Sequence, residues 1–152
     1  MTGALALLVN GKLIEAVDMP VFTIKKGKRI THEINAAGVR DTLKEFAVNA
    51  LDEHPFVVLE KVHSMPKQGV ASSFAFGRSL GVIEGVVAAL GMPLVWAVPN
   101  VWKREMKLTG KGKGASRQMA TNLWPDCADL FKLVKHDGRA EAALMAEWGR
   151  QG

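Results

Sequence analysis

The dipeptide Asn10-Gly11 lies between two short apolar runs, Ala4–Val9 and residues 13–19, and it restricts the fold more than any other feature of the chain. A two-residue type I′ turn needs positive φ at both central positions, which Asn and Gly tolerate, so the segment predicts a β-hairpin. Pro20 ends or bends the second strand, and Lys25-Lys26-Gly27-Lys28-Arg29 reads as an exposed basic loop. Residues 35–51 predict an amphipathic helix, because Ala36, Val39, Leu43, Phe46, Ala47 and Ala50 recur at spacings of three and four. After Pro55, residues 56–62 form a β-rich run suited to a buried central strand, with Glu60 and Lys61 near its end. Residues 66–73 read as a loop and residues 74–90 as an apolar, glycine-spotted helix. Residues 94–98 form a short buried strand between Pro93 and Pro99, and residues 101–106 a short helix. A loop rich in glycine and lysine comes next, then a helix over 116–123 stopped by Trp124-Pro125, and a last helix over 137–148. The order is an α/β layout with mixed strand directions, read as one domain over residues 1–152.

The single cysteine, Cys127, excludes an intramolecular disulfide, and no Cys/His pattern has zinc spacing. Both fit a reducing, cytoplasmic setting. The apolar start lacks a basic leader and makes a better strand than a signal peptide. No uninterrupted apolar run approaches the roughly 18 residues of a bilayer span, so no membrane partner is expected. The net charge of +5 permits an anionic partner.

Three groups of residues can carry chemistry. Glu60 ends an apolar run, where a carboxylate is costly to bury unless it is paired or binds a metal. It is either a metal ligand or a strand-end residue, paired with Lys61 or facing solvent. Asp137 and Glu141 are four apart and share a helix face, surrounded by Ala140, Ala142, Ala143, Leu144 and Ala146, whose small side chains let a helix approach a sheet closely. The two acids read as ligands of a hard divalent ion, Mg²⁺ or Mn²⁺, or as a solvated helix start favoured by the dipole. Residues 103–117 carry Lys103, Arg104, Lys107, Lys111, Lys113 and Arg117 against one acid, Glu105, with Gly110, Gly112 and Gly114 between the lysines. Such a loop can follow a phosphate backbone, or it can be an ordinary solvated surface. Gly77, Gly81 and Gly85 recur every fourth residue and allow close backbone approach, to the protein's own sheet or to a second copy. Phe74, Phe76 and the four tryptophans read as packing residues, and His63 and His136 have no metal-site spacing.

Several stretches together resemble the phage-type branch of RuvC-like Holliday junction resolvases, which have a ribonuclease H-like fold. They are the strand ending Val58-Leu59-Glu60-Lys61-Val62, then Pro66-Lys67-Gln68-Gly69 and Ser73-Phe74-Ala75-Phe76-Gly77-Arg78-Ser79. Pro99-Asn100-Val101-Trp102-Lys103 and the ending Lys135-His136-Asp137-Gly138-Arg139-Ala140-Glu141-Ala142-Ala143-Leu144 follow in the same order. The resemblance implies a five-stranded mixed sheet flanked by helices, a homodimer, two divalent metal ions (Mg²⁺ or Mn²⁺), and cleavage of phosphodiesters at four-way DNA junctions. It makes Glu60, Asp137 and Glu141 the catalytic and metal-binding acids and Lys103, Lys107, Lys111, Lys113 and Arg117 the DNA-binding cations. It also implies a cytoplasmic protein, in the host cytoplasm if phage-encoded.

The chain departs from that pattern in one respect. The family opens with a strand ending in a motif like Gly-Ile-Asp-Pro-Gly, whose Asp touches the metals, whereas Gly3-Ala4-Leu5-Ala6-Leu7-Leu8 resembles the second strand. On that resemblance the first strand is expected to be absent from the chain as given, through a misplaced start or a truncation, which would leave a gap between the second strand and the Glu60 strand. Asp18 is a poor substitute, because it falls two strands away, roughly 10 Å at the usual strand spacing. The expectation is a metal-dependent, structure-selective endonuclease for branched DNA, whose chain as given binds such DNA yet cuts it very slowly or not at all for want of the first strand's Asp. The competing expectation is a catalytically inactive branched-DNA-binding module on the same fold.

Overall fold

The computed structural model describes residues 3–51 and 54–152. Along the chain run β1 (Ala4–Val9), β2 (Lys12–Asp18), β3 (Val21–Lys26), β4 (Arg29–Ile34), α1 (Ala36–Ala50), β5 (Val57–Glu60), α2 (Val70–Ala89), β6 (Leu94–Ala97), α3 (Pro99–Glu105), α4 (Ala115–Leu123), 3-10 helices at Pro125–Phe131 and Val134–His136, and α5 (Asp137–Gln151). The chain is α/β, with small sheets flanked by helices. It divides into two compact units, one of residues 20–57 and 62–94, the other of residues 3–19, 58–61 and 95–152.

In the first unit, β3 and β4 form an antiparallel hairpin, paired from Val21↔Ile34 at the base to Lys26↔Arg29 at the tip. This corrects the reading of residues 25–29 as a simple loop. Both strands are largely solvent-exposed, so the burial alternation that marks a half-buried strand is weak here. The Asn35 side chain caps α1 by accepting from the Gly38 N–H at 3.0 Å. Leu51, in the left-handed region, ends it. The apolar stripe of α1 is buried at Val39, Leu43, Phe46 and Ala50, as its periodicity predicts. α2 starts four residues before the expected Phe74, and of its twenty residues only Val87 is buried.

By length and composition α2 is apolar enough to cross a membrane, although no such segment is expected from the sequence. Its run is broken by serines, Arg78 and Glu84, yet its average hydropathy stays high. The close packing of its glycines on the protein's own sheet is not found. Beyond the helix's own adjacent backbone, no described atom lies within 4 Å of where a Cβ on Gly77, Gly81 or Gly85 would be.

The second unit is built on the β1–β2 hairpin. Asn10 (φ 51°) and Gly11 (φ 80°) both take positive φ, as a type I′ turn demands. Between Leu7↔Glu15 and Leu8↔Leu13 the register skips Ile14, a bulge on β2. α5 packs on both strands and on α4. Its inner face, Ala140, Ala143 and Leu144, is fully buried, and the two alanines let the helix sit close to the hairpin. Leu13, Ala97, Trp102, Met106, Leu108, Ala120, Trp124 and Phe131 complete this core. The Trp124 indole N–H donates to the Gly11 carbonyl at 3.0 Å, tying the 3-10 segment to the hairpin turn.

Among the described residues the strands pair as three two-stranded sheets and not as one five-stranded sheet. β1 bonds only to β2, β3 only to β4, and β5 only to β6 among the described residues. β5 and β6 run parallel, since Val57 N–H donates to Pro93 O and Lys61 N–H to Ala97 O, four residues further along both strands.

One buried carboxylate of α5 makes this unit acid-sensitive. Glu147 is buried and accepts from Arg150 at 2.6 and 2.9 Å and from Gln151 at 2.8 Å. The Arg150 guanidinium holds its carboxyl below the ordinary 4.5. A lowered folded value contributes stability fully above the unfolded value and loses it as pH falls through the folded one. Glu147→Gln is therefore expected to cost about 1 kcal/mol at pH 7, Arg150 being half-exposed. In urea unfolding the difference from the parent chain should shrink as pH falls below 4.5 and vanish only once the folded carboxyl is itself protonated.

Candidate nuclease site

Each candidate acid in the second unit is held by a specific donor. α3 begins at Pro99, whose fixed φ suits the first helical turn, and carries Trp102 into the core with no exposed surface. A buried indole N–H needs an acceptor, and it finds Glu60 Oε1 at 3.0 Å, at the end of β5. Glu60 is half-buried, and this bond accounts for a carboxylate ending so apolar a strand.

The next residue, Lys103, lies with its Nζ 5.3 Å from the centre of the Trp102 ring and 3.3 Å from Glu141 Oε1. Asp137, at the first turn of α5, accepts from Arg117 Nε of α4 at 2.6 Å. Behind it, buried His136 accepts the Leu133 N–H on Nδ1 at 3.2 Å, which fixes the entry to α5. Burial is the main cause holding this imidazole below its ordinary value.

Asp137 and Glu141 line one cleft of about 500 Å³ together with Asn100, Lys103, Arg104, Lys111 and Lys113. A second cleft of about 640 Å³ shares the 111–115 loop and adds Arg117, Gln118, Thr121 and Lys132, with no acid in its lining. The fold thus places a stretch of glycine and lysine between two open clefts.

Five of the residues singled out from the sequence gather in the first cleft or its lining: Asp137, Glu141, Lys103, Lys111 and Lys113. Arg117 joins through its bond to Asp137, and Glu60 through the adjacent residues Trp102 and Lys103. Lys107 lines neither cleft. Asn100, Arg104 and Thr109 line the first cleft without having been singled out as site residues; Arg104 had a signal in its place in the basic segment and Asn100 in the motif that carries the resemblance, and Thr109 had none. Trp102, read as packing, is both core and the donor to Glu60. Asp18 is taken up elsewhere in this unit, clamped by Arg139 at 2.7 and 3.1 Å. That bond to Arg139 is the main cause holding its carboxyl below the ordinary value.

The oxygen donors suit a hard divalent ion, and Mg²⁺ characteristically takes one or two carboxylates plus substrate phosphate. The Asp137–Glu141 pair fits that requirement. Among the described residues no three acidic, imidazole or thiol side chains form a ready-made cage, so Glu60 is not grouped with the pair.

Trp102→Phe keeps the ring in the core and removes the donor to Glu60. A stability loss of about 1.5–3 kcal/mol is expected, as for a lost hydrogen bond to a charged group. The double variant with Glu60→Gln should show coupling in a thermal-unfolding cycle. Additive losses would mean that the bond contributes nothing.

No family profile matches the sequence. The chain is 27% identical, over 146 aligned residues, to the chloroplastic Holliday junction resolvase MOC1 of Chlamydomonas reinhardtii. The match covers 86% of this chain and 17% of that protein, so the chain spans about a sixth of its relative's length.

Proposed function

We propose that this chain is a structure-selective endonuclease that cleaves phosphodiesters in branched DNA, four-way junctions above all, on a ribonuclease H-like frame. The observation that carries the reading is the first cleft, where Asp137 and Glu141 stand among Lys103, Arg104, Lys111 and Lys113. Acids beside cations in one open cleft are what phosphodiester hydrolysis needs: oxygen ligands for a divalent ion and positive groups for the phosphates on either side of the cut. The similarity to a junction resolvase over most of the chain supports the substrate class.

When bound, Mg²⁺ or Mn²⁺ would supply an activated water and stabilise the leaving oxygen. Asp137 and Glu141 would hold an ion. Glu60, oriented by Trp102, is the acid that the resemblance assigns to a second ion, although it is not grouped with the pair. Lys103, Lys111, Lys113 and Arg117 would grip the DNA backbone, with Lys107 contributing only at longer range.

A second reading, an inactive branched-DNA-binding module, is favoured by the lack of a three-acid cluster among the described residues. The two separate in one assay, nicking of a synthetic four-way junction with and without Mg²⁺. Asp137→Asn and Glu141→Gln should each lower the nicking rate by at least about a hundredfold, or about 2.7 kcal/mol, while junction affinity stays within a few-fold. No Mg²⁺-dependent nicking by the parent chain, with junction binding intact, would establish the inactive module instead.

The same reading includes a homodimer, and the exposed face of α2 is the surface that suits one. Val70 and Phe74 are 89% and 74% exposed there, beside Gly77, Gly81 and Gly85. Arg78 and Glu84 lie three residues to either side of Gly81. Two copies crossing antiparallel at Gly81 would set each Arg78, which also pairs with Glu33 of its own chain at 3.6 Å, against the second copy's Glu84, the self-complementary match that a two-fold interface demands. Sedimentation should give a dimer for the parent chain and a monomer for Gly81→Leu. A monomeric parent would remove the dimer from this reading.

A further inference from the structure

We infer that the β3–β4 hairpin is a second DNA-binding element, a two-stranded ribbon whose basic tip enters a groove of the duplex arms and touches the phosphates on both sides. The inference rests on the reading of the chain as a DNA-binding protein, but it uses none of the acids or cations of the clefts.

The base of the hairpin is fixed and its tip is free. At the base, Asn35 N–H donates to Pro20 O at 3.0 Å, and Glu33 pairs with Arg78 of α2 at 3.6 Å. At the tip, the register closes on Lys26↔Arg29 around Gly27-Lys28. Gly27 takes φ 59°, the first central position of a type II′ turn, and nothing described lies within 4 Å of a Cβ placed there.

Lys25, Lys26, Lys28 and Arg29 are all exposed, and none makes an ion pair among the described residues. They account for all but one unit of the chain's net charge of +5. No acid occurs from Val21 to His32. Lys26 and Arg29 are direct cross-strand partners, a like-charge pair that weakens a hairpin. Lys103 and Arg117, by contrast, are each held by a carboxylate. The hairpin carries an electrostatic cost that nothing in its own fold offsets, and a polyanion would offset it.

The arrangement also selects the kind of polyanion. Successive strand residues face opposite ways, so Lys25 points to one face of the ribbon while Lys26 and Arg29 point to the other, with Lys28 at the turn. A flat anionic surface such as a membrane would be met by cations on one face. Cations on both flanks of a narrow ribbon suit insertion between two rails of phosphate. The major groove is about 12 Å wide and admits a two-stranded ribbon. Exposed Ile30 lies beside Lys25 on one face and exposed Phe22 lies on the other, giving apolar surface for base edges and sugars.

The test uses the full chain with Lys25→Gln, Lys26→Gln, Lys28→Gln and Arg29→Gln combined. A second variant with Lys25→Arg, Lys26→Arg and Lys28→Arg keeps the charge. Junction affinity is followed by fluorescence anisotropy from about 50 to 200 mM salt, the range over which phosphate contacts are resolved. The neutralised variant should bind at least about tenfold more weakly at low salt, with a salt slope lower by about two to four units, one per lost contact. The arginine variant should match the parent, and all three should unfold at similar temperatures. An unchanged slope in the neutralised variant overturns the hairpin and leaves the nuclease reading standing. A parent that binds linear duplex and junction alike through the hairpin, and never nicks, overturns the nuclease and leaves the hairpin. Hairpin-dependent binding to phosphatidylserine vesicles that exceeds binding to DNA overturns the inference, and so does a parent that binds no DNA.

Discussion

The arrangement of the acids depends on one buried indole. Trp102 has no exposed surface, and its N–H must find an acceptor or leave a polar group unsatisfied at a cost of about 1–3 kcal/mol. It takes Glu60, and in doing so fixes the end of β5 against the start of α3. The following residue, Lys103, lies close to the same ring and bonds Glu141 of α5. One packing decision in the core therefore sets the relation between three elements, and the two acids at its ends inherit their positions from it. Core and candidate site share this bond, which is why a tryptophan that reads as simple packing bears on the placement of Glu60.

Features governed by local rules were legible in the sequence. Asn10-Gly11 needs nothing beyond its own φ preferences to make a turn, and the turn is found. The apolar stripe of α1 is found in the predicted phase because burial of one helix face is a local periodicity. β3 and β4 were hidden because both are largely exposed and Gly27-Lys28 is a weaker turn signal than Asn-Gly. The start of α2 was hidden for a related reason. Its first residues, Val70-Ala71-Ser72-Ser73, are preceded by Gly69, which makes no side-chain capping bond, so no capping residue marks the boundary.

The site was legible in its parts and not in its wiring. Asp137 and Glu141 share a helix face, as their spacing requires, and they line one cleft with lysines of the 103–117 segment. The partners of those acids come from 20 and 38 residues away, Arg117 on α4 and Lys103 on α3. No periodicity reports such pairings, since they depend on how α3, α4 and α5 pack. Glu60 shows the same limit. Its apolar setting marks it as a carboxylate in need of a partner, but the partner, Trp102, lies 42 residues along the chain.

The pairing of acids with cations has a consequence for any ligand of the first cleft. Lys103 and Glu141 are 38% and 36% exposed, so their ion pair contributes little to stability and exchanges readily. A phosphate that draws Lys103 toward itself leaves Glu141 less neutralised, and a less neutralised carboxylate attracts a divalent cation more strongly. Arg117 and Asp137 stand in the same relation at 2.6 Å. Under the proposed function, anion and cation would therefore enter as mutually reinforcing ligands, each raising the other's affinity by the same factor. A site wired in this way needs no preformed cage of three acids, because the substrate's own phosphate supplies both a displacing charge and a further oxygen ligand.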